Sequence, residues 1–158
     1  MSIDPAVPAL VAGYMRADIT RRPDHLRVGP FLVGLNPHTA SLGHNYAIPL
    51  AGATPTQAEI AELVSVFERH HRTPRLECVT GVAPRAEAAL IAAGFTVDQR
   101  LAMLACSPGS GIERPVPEGI VASAIHDAGD LLDAVTVQNE AYGEAASAGS
   151  HDVERLQA

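Results

Sequence analysis

At 158 residues the chain has room for one ordinary domain, or for one domain and the opening of a second. A hydrophobic share of 47% supports a buried core, while aromatics at 4% and the absence of tryptophan point to small aliphatic side chains packed between helix and sheet. A net charge of -7 argues against a nucleic-acid binder, since neutralising phosphates takes clustered basic residues; all basic residues are arginine, which excludes a lysine nucleophile.

The opening "MSIDPAVPAL" has no basic segment ahead of its apolar residues, so no secretory signal is expected. No apolar run reaches the ~20 residues of a membrane span. Cys78 and Cys106 are too few for a disulfide scaffold, and the expectation is a cytoplasmic protein with reduced thiols.

"IDPAVPALVAGYMRAD" predicts a helix, with Asp4 as N-cap, Pro5 at the first helical position, and Leu10, Val11 and Tyr14 at helical spacing. Pro23 in "RRPDH" ends it. "LRVGPFLVGL" (26–35) reads as strand, "NPHT" as turn, and "HNYAIPL" (44–50) as a second short strand with Pro49 at an end or edge. A helix follows over 55–71. Its start has two possible capping boxes, Thr54 with Gln57 or Thr56 with Glu59, and Ile60, Leu63, Val64 and Phe67 form its apolar face.

"TPRLECVT" predicts a strand with Leu76, Cys78 and Thr80 on one face, and Cys78 is expected in the core. Pro84 starts the next helix, Gly94 suits a left-handed C-terminal cap, and Phe95 can pack back on it. A longer strand is expected over 95–106, with Phe95, Val97, Leu101, Met103 and Ala105 on one side. "SPGSGIERPVPEG" has linker composition. After it come a strand "IVASAI", a helix around Leu131, Leu132, Val135 and Tyr142, and a helix barely begun in "SHDVERLQA". The expected organisation is a first domain over 1–106, a linker over 107–118, and an incomplete second unit over 119–158.

Residues 28–106, and above all "PRLECVTGVAPRAEAALIAAGFTVDQRLAMLAC", resemble a GNAT-type N-acetyltransferase fold. That family shows a pattern like Asn-x-x-Ala-x-x-x-Tyr-x-x-x-Gly-Phe, and Ala86, Gly94 and Phe95 stand at the matching positions. "GIVASAIHDAGDLLDAVTVQNEAYGE" is similar to the first strand and helix of a second such domain. The resemblance implies an α/β fold with a mixed central sheet flanked by helices, acetyl-CoA as co-substrate, and a small-molecule or peptide amine as acceptor.

The departures bear on function. Family members grip the acyl-CoA pyrophosphate with Gln/Arg-x-x-Gly-x-Gly/Ala, presenting bare main-chain N–H groups at a helix N-terminus. Here the equivalent "PLAGATPTQAEI" has Gly52 alone, Pro55 offers no N–H, and Thr54 or Thr56 can cap the helix internally. Thr56 and Gln57 remain as candidate cofactor-binding residues. The family's Asn and Tyr positions hold Ala83 and Leu90, and leucine cannot protonate a departing thiolate, so no catalytic residue is assigned.

In "VQNEAYGE", Asn139, Glu140 and Tyr142, with Glu144, are candidate substrate-binding residues beside an acceptor amine; the competing reading makes Tyr142 core and the glutamates a solvated face. His70, His71, Cys78 and Cys106 lack metal-ligand spacing, and no metal is expected. His44, near a strand start, reads as a satisfied turn histidine.

The resemblance therefore implies a segment of a GNAT-family N-acetyltransferase that acts mainly as scaffold, substrate wall or dimer surface. A stand-alone, catalytically inactive binding or dimerisation module is the alternative, and a first domain that binds acyl-CoA through a non-standard loop is a third.

Overall fold

The computed structural model describes residues 6–103, 109, 111, 114–143, 148, 149 and 153. Its elements are α1 (Ala6–Arg21), β1 (Leu26–Val28), β2 (Phe31–Gly34), β3 (Tyr46–Pro49), α2 (Gln57–Arg69), α3 (Pro84–Ala92) and α4 (Ala128–Tyr142). The architecture is mixed α/β. The chain divides into two compact units, Met1–Ala105 and Cys106–Ala158. No described helix is long and apolar enough to cross a membrane.

In the first unit the sheet runs β1-β2-β3, antiparallel throughout, with Val28 opposite Phe31 and Leu32 opposite Ile48. Every residue of β2 is buried because both faces of the sheet are covered. Alternation sorts the side chains. Phe31 and Val33, with Ala47, join Ile60, Leu63, Val66 and Phe67 of α2 in the main core. Leu32, Tyr46 and Ile48 turn the other way and pack on Ile19 and Met15 of α1.

The expected strand over 26–35 is a hairpin instead. Gly29 and Pro30 form its two-residue turn, with Gly29 at φ +52, a conformation that other L-residues adopt at a cost of about 1–2 kcal/mol. A β-carbon on Gly29 would also lie 3.0 Å from Glu59 Oε1, so the turn rests against the head of α2. Gly29→Ala is expected to destabilise the first unit by about 1–2 kcal/mol, read as a lower urea midpoint at unchanged slope.

After β3 the chain crosses through α2 and returns parallel to β3 at one point, where Ala47 faces Leu76. Ala47 N donates to Arg75 O at 2.9 Å, and Glu77 N donates to Ala47 O at 2.9 Å. The strand expected over 73–80 is reduced to this bridge. Among the described residues, the mixed central sheet of the sequence reading is thus a three-stranded antiparallel sheet with a single parallel bridge.

α3 ends as its sequence predicts. Gly94 takes φ +98, Phe95 N donates to Leu90 O and Gly94 N donates to Ile91 O, both at 3.0 Å. This is a Schellman cap, closed by Phe95 packing with Ala89 on the core that holds Leu90. The strand expected from Phe95 onward does not form among the described residues 95–103. Asp98, Gln99 and Arg100 interrupt its apolar run, Arg100 is drawn to Glu87 of α3, and Val97, Leu101 and Met103 are exposed.

"IVASAI" likewise carries no strand. Ile120, Val121 and Ile125 are exposed, and the alanines and serine between them supply little surface to bury. On α1, Leu10 and Tyr14 face out and the inner side is Met15 and Ile19; Asp4 and Pro5 lie outside the described residues.

Candidate functional site

The structure places Thr56 and Gln57 side by side at the head of α2, both exposed. Of the two possible capping boxes, Thr56 with Glu59 is the one formed. Glu59 N donates to Thr56 Oγ1 at 3.2 Å, and Thr56 N donates back to Glu59 Oε2 at 2.8 Å. The Thr56 hydroxyl also donates to Glu59 Oε2 at 2.8 Å. A carboxylate therefore occupies the positive end of the helix dipole, where an incoming anion would otherwise be stabilised.

These bonds titrate. The Thr56 N–H, and after it the Thr56 hydroxyl, hold the Glu59 carboxyl below its ordinary value of 4.5, against a smaller opposing push from desolvation. A folded-state value below the unfolded one gives stability that is present above the unfolded pKa and lost as pH falls through the folded value. Between about pH 5 and pH 3, wild type is expected to lose thermal stability more steeply than Glu59→Gln, which keeps the capping geometry without the charge. Parallel melting curves for the two proteins across that range would contradict the assignment.

On α3, Ala83 and Leu90 are both buried; Leu90 lies in the main core, and Ala83 makes no side-chain cap bond. Hydrocarbon at these two positions serves packing. Between α1, β3 and the stretch after the parallel bridge, Met15, Ile48, Pro49, Glu77 and Val79 leave a void of ≈ 10 Å³, room for about one water.

Asn139, Glu140 and Tyr142 follow one another near the end of α4, which is capped by Asp127 at its start and by Gly143 at φ +70 at its end. Asn139 is half-buried, Glu140 is exposed, and Tyr142 is 80% exposed, which overturns the reading of Tyr142 as core. Glu144 lies outside the described residues.

Cys78 is exposed, contrary to its expected place in the core, because the stretch around it forms only the bridge at Leu76. Crowding by neighbouring protein atoms, with Glu87 and then Glu77 nearby, still pushes its thiol up to about 11, so it is a poor nucleophile at neutral pH. No group of three potential metal ligands occurs among the described residues.

A feature that the sequence reading did not single out lies at the opposite end of α2. The helix closes in a second Schellman pattern, with Arg72 N donating to Phe67 O at 2.8 Å and His71 N donating to Glu68 O at 2.9 Å. The left-handed position, usually glycine, is His71 at φ +55. The reversal brings the Arg72 guanidinium under the loop between β2 and β3.

There Arg72 Nε donates to Asn45 Oδ1 at 3.2 Å and Nη1 donates to the carbonyls of His70 and His71, both at 3.2 Å. Nη2 donates to Asn36 O at 2.8 Å and Pro37 O at 3.2 Å. Arginine has five N–H donors, and all five are committed.

Asn45, 1% exposed, completes the clasp: Oδ1 also accepts from Asn36 N, and Nδ2 donates to the carbonyls of Thr39 and Ser41, each at 2.8 Å. Beside it opens a cleft of ≈ 320 Å³ bounded by Pro23, Asp24, His25 and Leu26, by Leu35 to Pro37, and by His70 and Arg72. The signal in the sequence was three separate polar turns, "RRPDH", "NPHT" and "RHHR", which only the tertiary fold joins.

Compared with models of protein families, with curated proteins and with solved structures, the chain matches none.

Proposed function

We propose that the first unit is a divergent GNAT-like domain, part of an acyl-CoA N-acyltransferase, and that it serves as scaffold while the transfer chemistry lies outside it. Three features support the GNAT-like reading. An antiparallel hairpin leads into β3, a helical crossover returns parallel at Leu76, and α3 ends in the Gly94 and Phe95 cap. The observation that carries the scaffold role is the Glu59 carboxylate bonded across the head of α2. An acyl-CoA pyrophosphate brought to Thr56 and Gln57 would meet a like charge where the family offers bare N–H groups.

In this reading acetyl-CoA is the donor and a small-molecule or peptide amine the acceptor. Glu140, with Asn139 and Tyr142 near it on α4, supplies a carboxylate suited to an ammonium group. Exposed Leu101, Met103, Ile120 and Val121 favour a second reading, a non-catalytic module that pairs with another copy, which sedimentation over a concentration series would detect as a dimer.

Calorimetric titration of the chain with acetyl-CoA tests the first reading. No saturable heat is expected at the first unit. Saturable micromolar binding that Glu59→Gln strengthens and Thr56→Ala weakens would place the cofactor on α2 and sink the scaffold assignment.

A further inference from the structure

We infer that the cleft between the turn after α1, the start of the β2–β3 loop and the end of α2 binds a planar aromatic heterocycle bearing N–H groups on its edge, of the size of a purine base. The argument begins with Arg72. Its five in-plane N–H donors are spent on the carbonyls of Asn36, Pro37, His70 and His71 and on Asn45 Oδ1. What Arg72 adds to the cleft wall is therefore its planar face or its aliphatic stem, neither with a donor left for a carboxylate or phosphate. A fixed guanidinium plane of this kind stacks aromatic rings.

The remaining walls agree. Pro23, Pro37, Leu26 and Leu35 are apolar, and the volume of ≈ 320 Å³ sits at the lower end of the roughly 300–1,000 Å³ typical of small-molecule sites, enough for one or two fused rings.

The polar groups at the cleft include two acceptors, Asp24 and His25, and a donor, the Asn36 amide N–H2, whose Oδ1 accepts from His38 N at 2.8 Å. Asp24 is a carboxylate, and His25 Nδ1 lies 2.6 Å from the Arg22 carbonyl, which only accepts. Nδ1 therefore carries the proton, and in the neutral ring Nε2 is left as an acceptor. The Asp24 and His25 acceptors select a ligand edge that bears N–H, and the Asn36 amide can meet a ring nitrogen beside it, a pairing that a purine edge offers. The Asp24 carboxylate disfavours an anion, as does the negative end of the α2 dipole.

The site is also rigid. Arg72 is clamped from five directions, and His71 keeps a left-handed backbone that glycine would adopt more easily, so a strained position adjoins the cleft. This inference is independent of the acyltransferase reading and stands or falls apart from it.

The fluorescent base 2-aminopurine tests it on the full chain, which has no tryptophan to interfere. Saturable quenching is expected with a Kd below about 1 mM, reversed by adenine and unaffected by cyclohexylamine, a saturated ring amine. Leu26→Tyr, at the edge of β1, fills the cleft without adding a tryptophan and is expected to weaken binding about tenfold or more with an unchanged melting temperature. Should that variant fold poorly, Asp24→Ala, at an exposed turn position, is expected to weaken binding about threefold or more by removing an acceptor. No saturable quenching, equal displacement by cyclohexylamine, or unchanged binding in both variants would overturn the proposal.

Discussion

Replacing Phe67 by alanine is expected to cost the first unit about 3–5 kcal/mol. Phe67 is fully buried on α2, in one cluster with Phe31 and Val33 of β2, Leu63 of its own helix and Leu90 of α3. Its neighbours, Phe31 among them, are held in place by their own close packing, so the cavity can collapse only in part. A domain of this size has a total stability of only about 5–15 kcal/mol, so the loss approaches the whole margin in the lower half of that range. Urea unfolding followed by circular dichroism reads the effect. A loss below about 1.5 kcal/mol would mean that the helix and sheet are not locked together through this ring.

The second large effect is expected at Asn45. Its side chain makes four hydrogen bonds in a position closed to water, joining the β2–β3 loop to itself and to Arg72. Asn45→Ala strands the Asn36 N–H, the Arg72 Nε–H and the Thr39 carbonyl together, while the Ser41 carbonyl keeps the bond from His44 N at 3.1 Å. Leaving buried polar groups unsatisfied costs about 1–3 kcal/mol each, with losses that do not add fully, so about 3 kcal/mol is expected for the set.

Hydrogen exchange gives the more diagnostic reading, because amides over 36–45 are expected to lose protection before those of α2. Equal protection in variant and wild type would show that the loop is held by other contacts.

How much of this was legible in the sequence depended on how local the cause was. The α2 capping box and the α3 cap are written in neighbouring residues, Thr56 with Glu59 and Gly94 with Phe95, and both form. The N-cap of α2 had two spellings in the sequence, and the bonds of Glu59 to Thr56 decide between them.

Strands were less legible because a strand exists only through its partner. Val97, Leu101 and Met103 have the right alternation but no neighbouring strand among the described residues, whereas the Gly29 and Pro30 turn lies hidden inside a run of apolar and β-prone residues.

The Arg72 clasp was hidden for a different reason. Its left-handed residue is His71 rather than a glycine, and its partners lie 27 and 36 positions away. Nothing local in "RHHR" announces that the arginine, half-buried, will be ringed by carbonyls. That Ala83 and Leu90 offer only hydrocarbon was legible from residue types alone, and the structure adds that both side chains are packed inside.

The head of α2 presents its own carboxylate, instead of open amides, where the proposed acyl-CoA reading would call for a pyrophosphate site. Following the backbone amide resonances of Thr56, Gln57 and Glu59 while coenzyme A is added to millimolar concentration tests it residue by residue. The three signals are predicted to stay where they are in the free protein. A saturable displacement of all three, deepening as Glu59 is protonated, would contradict the claim.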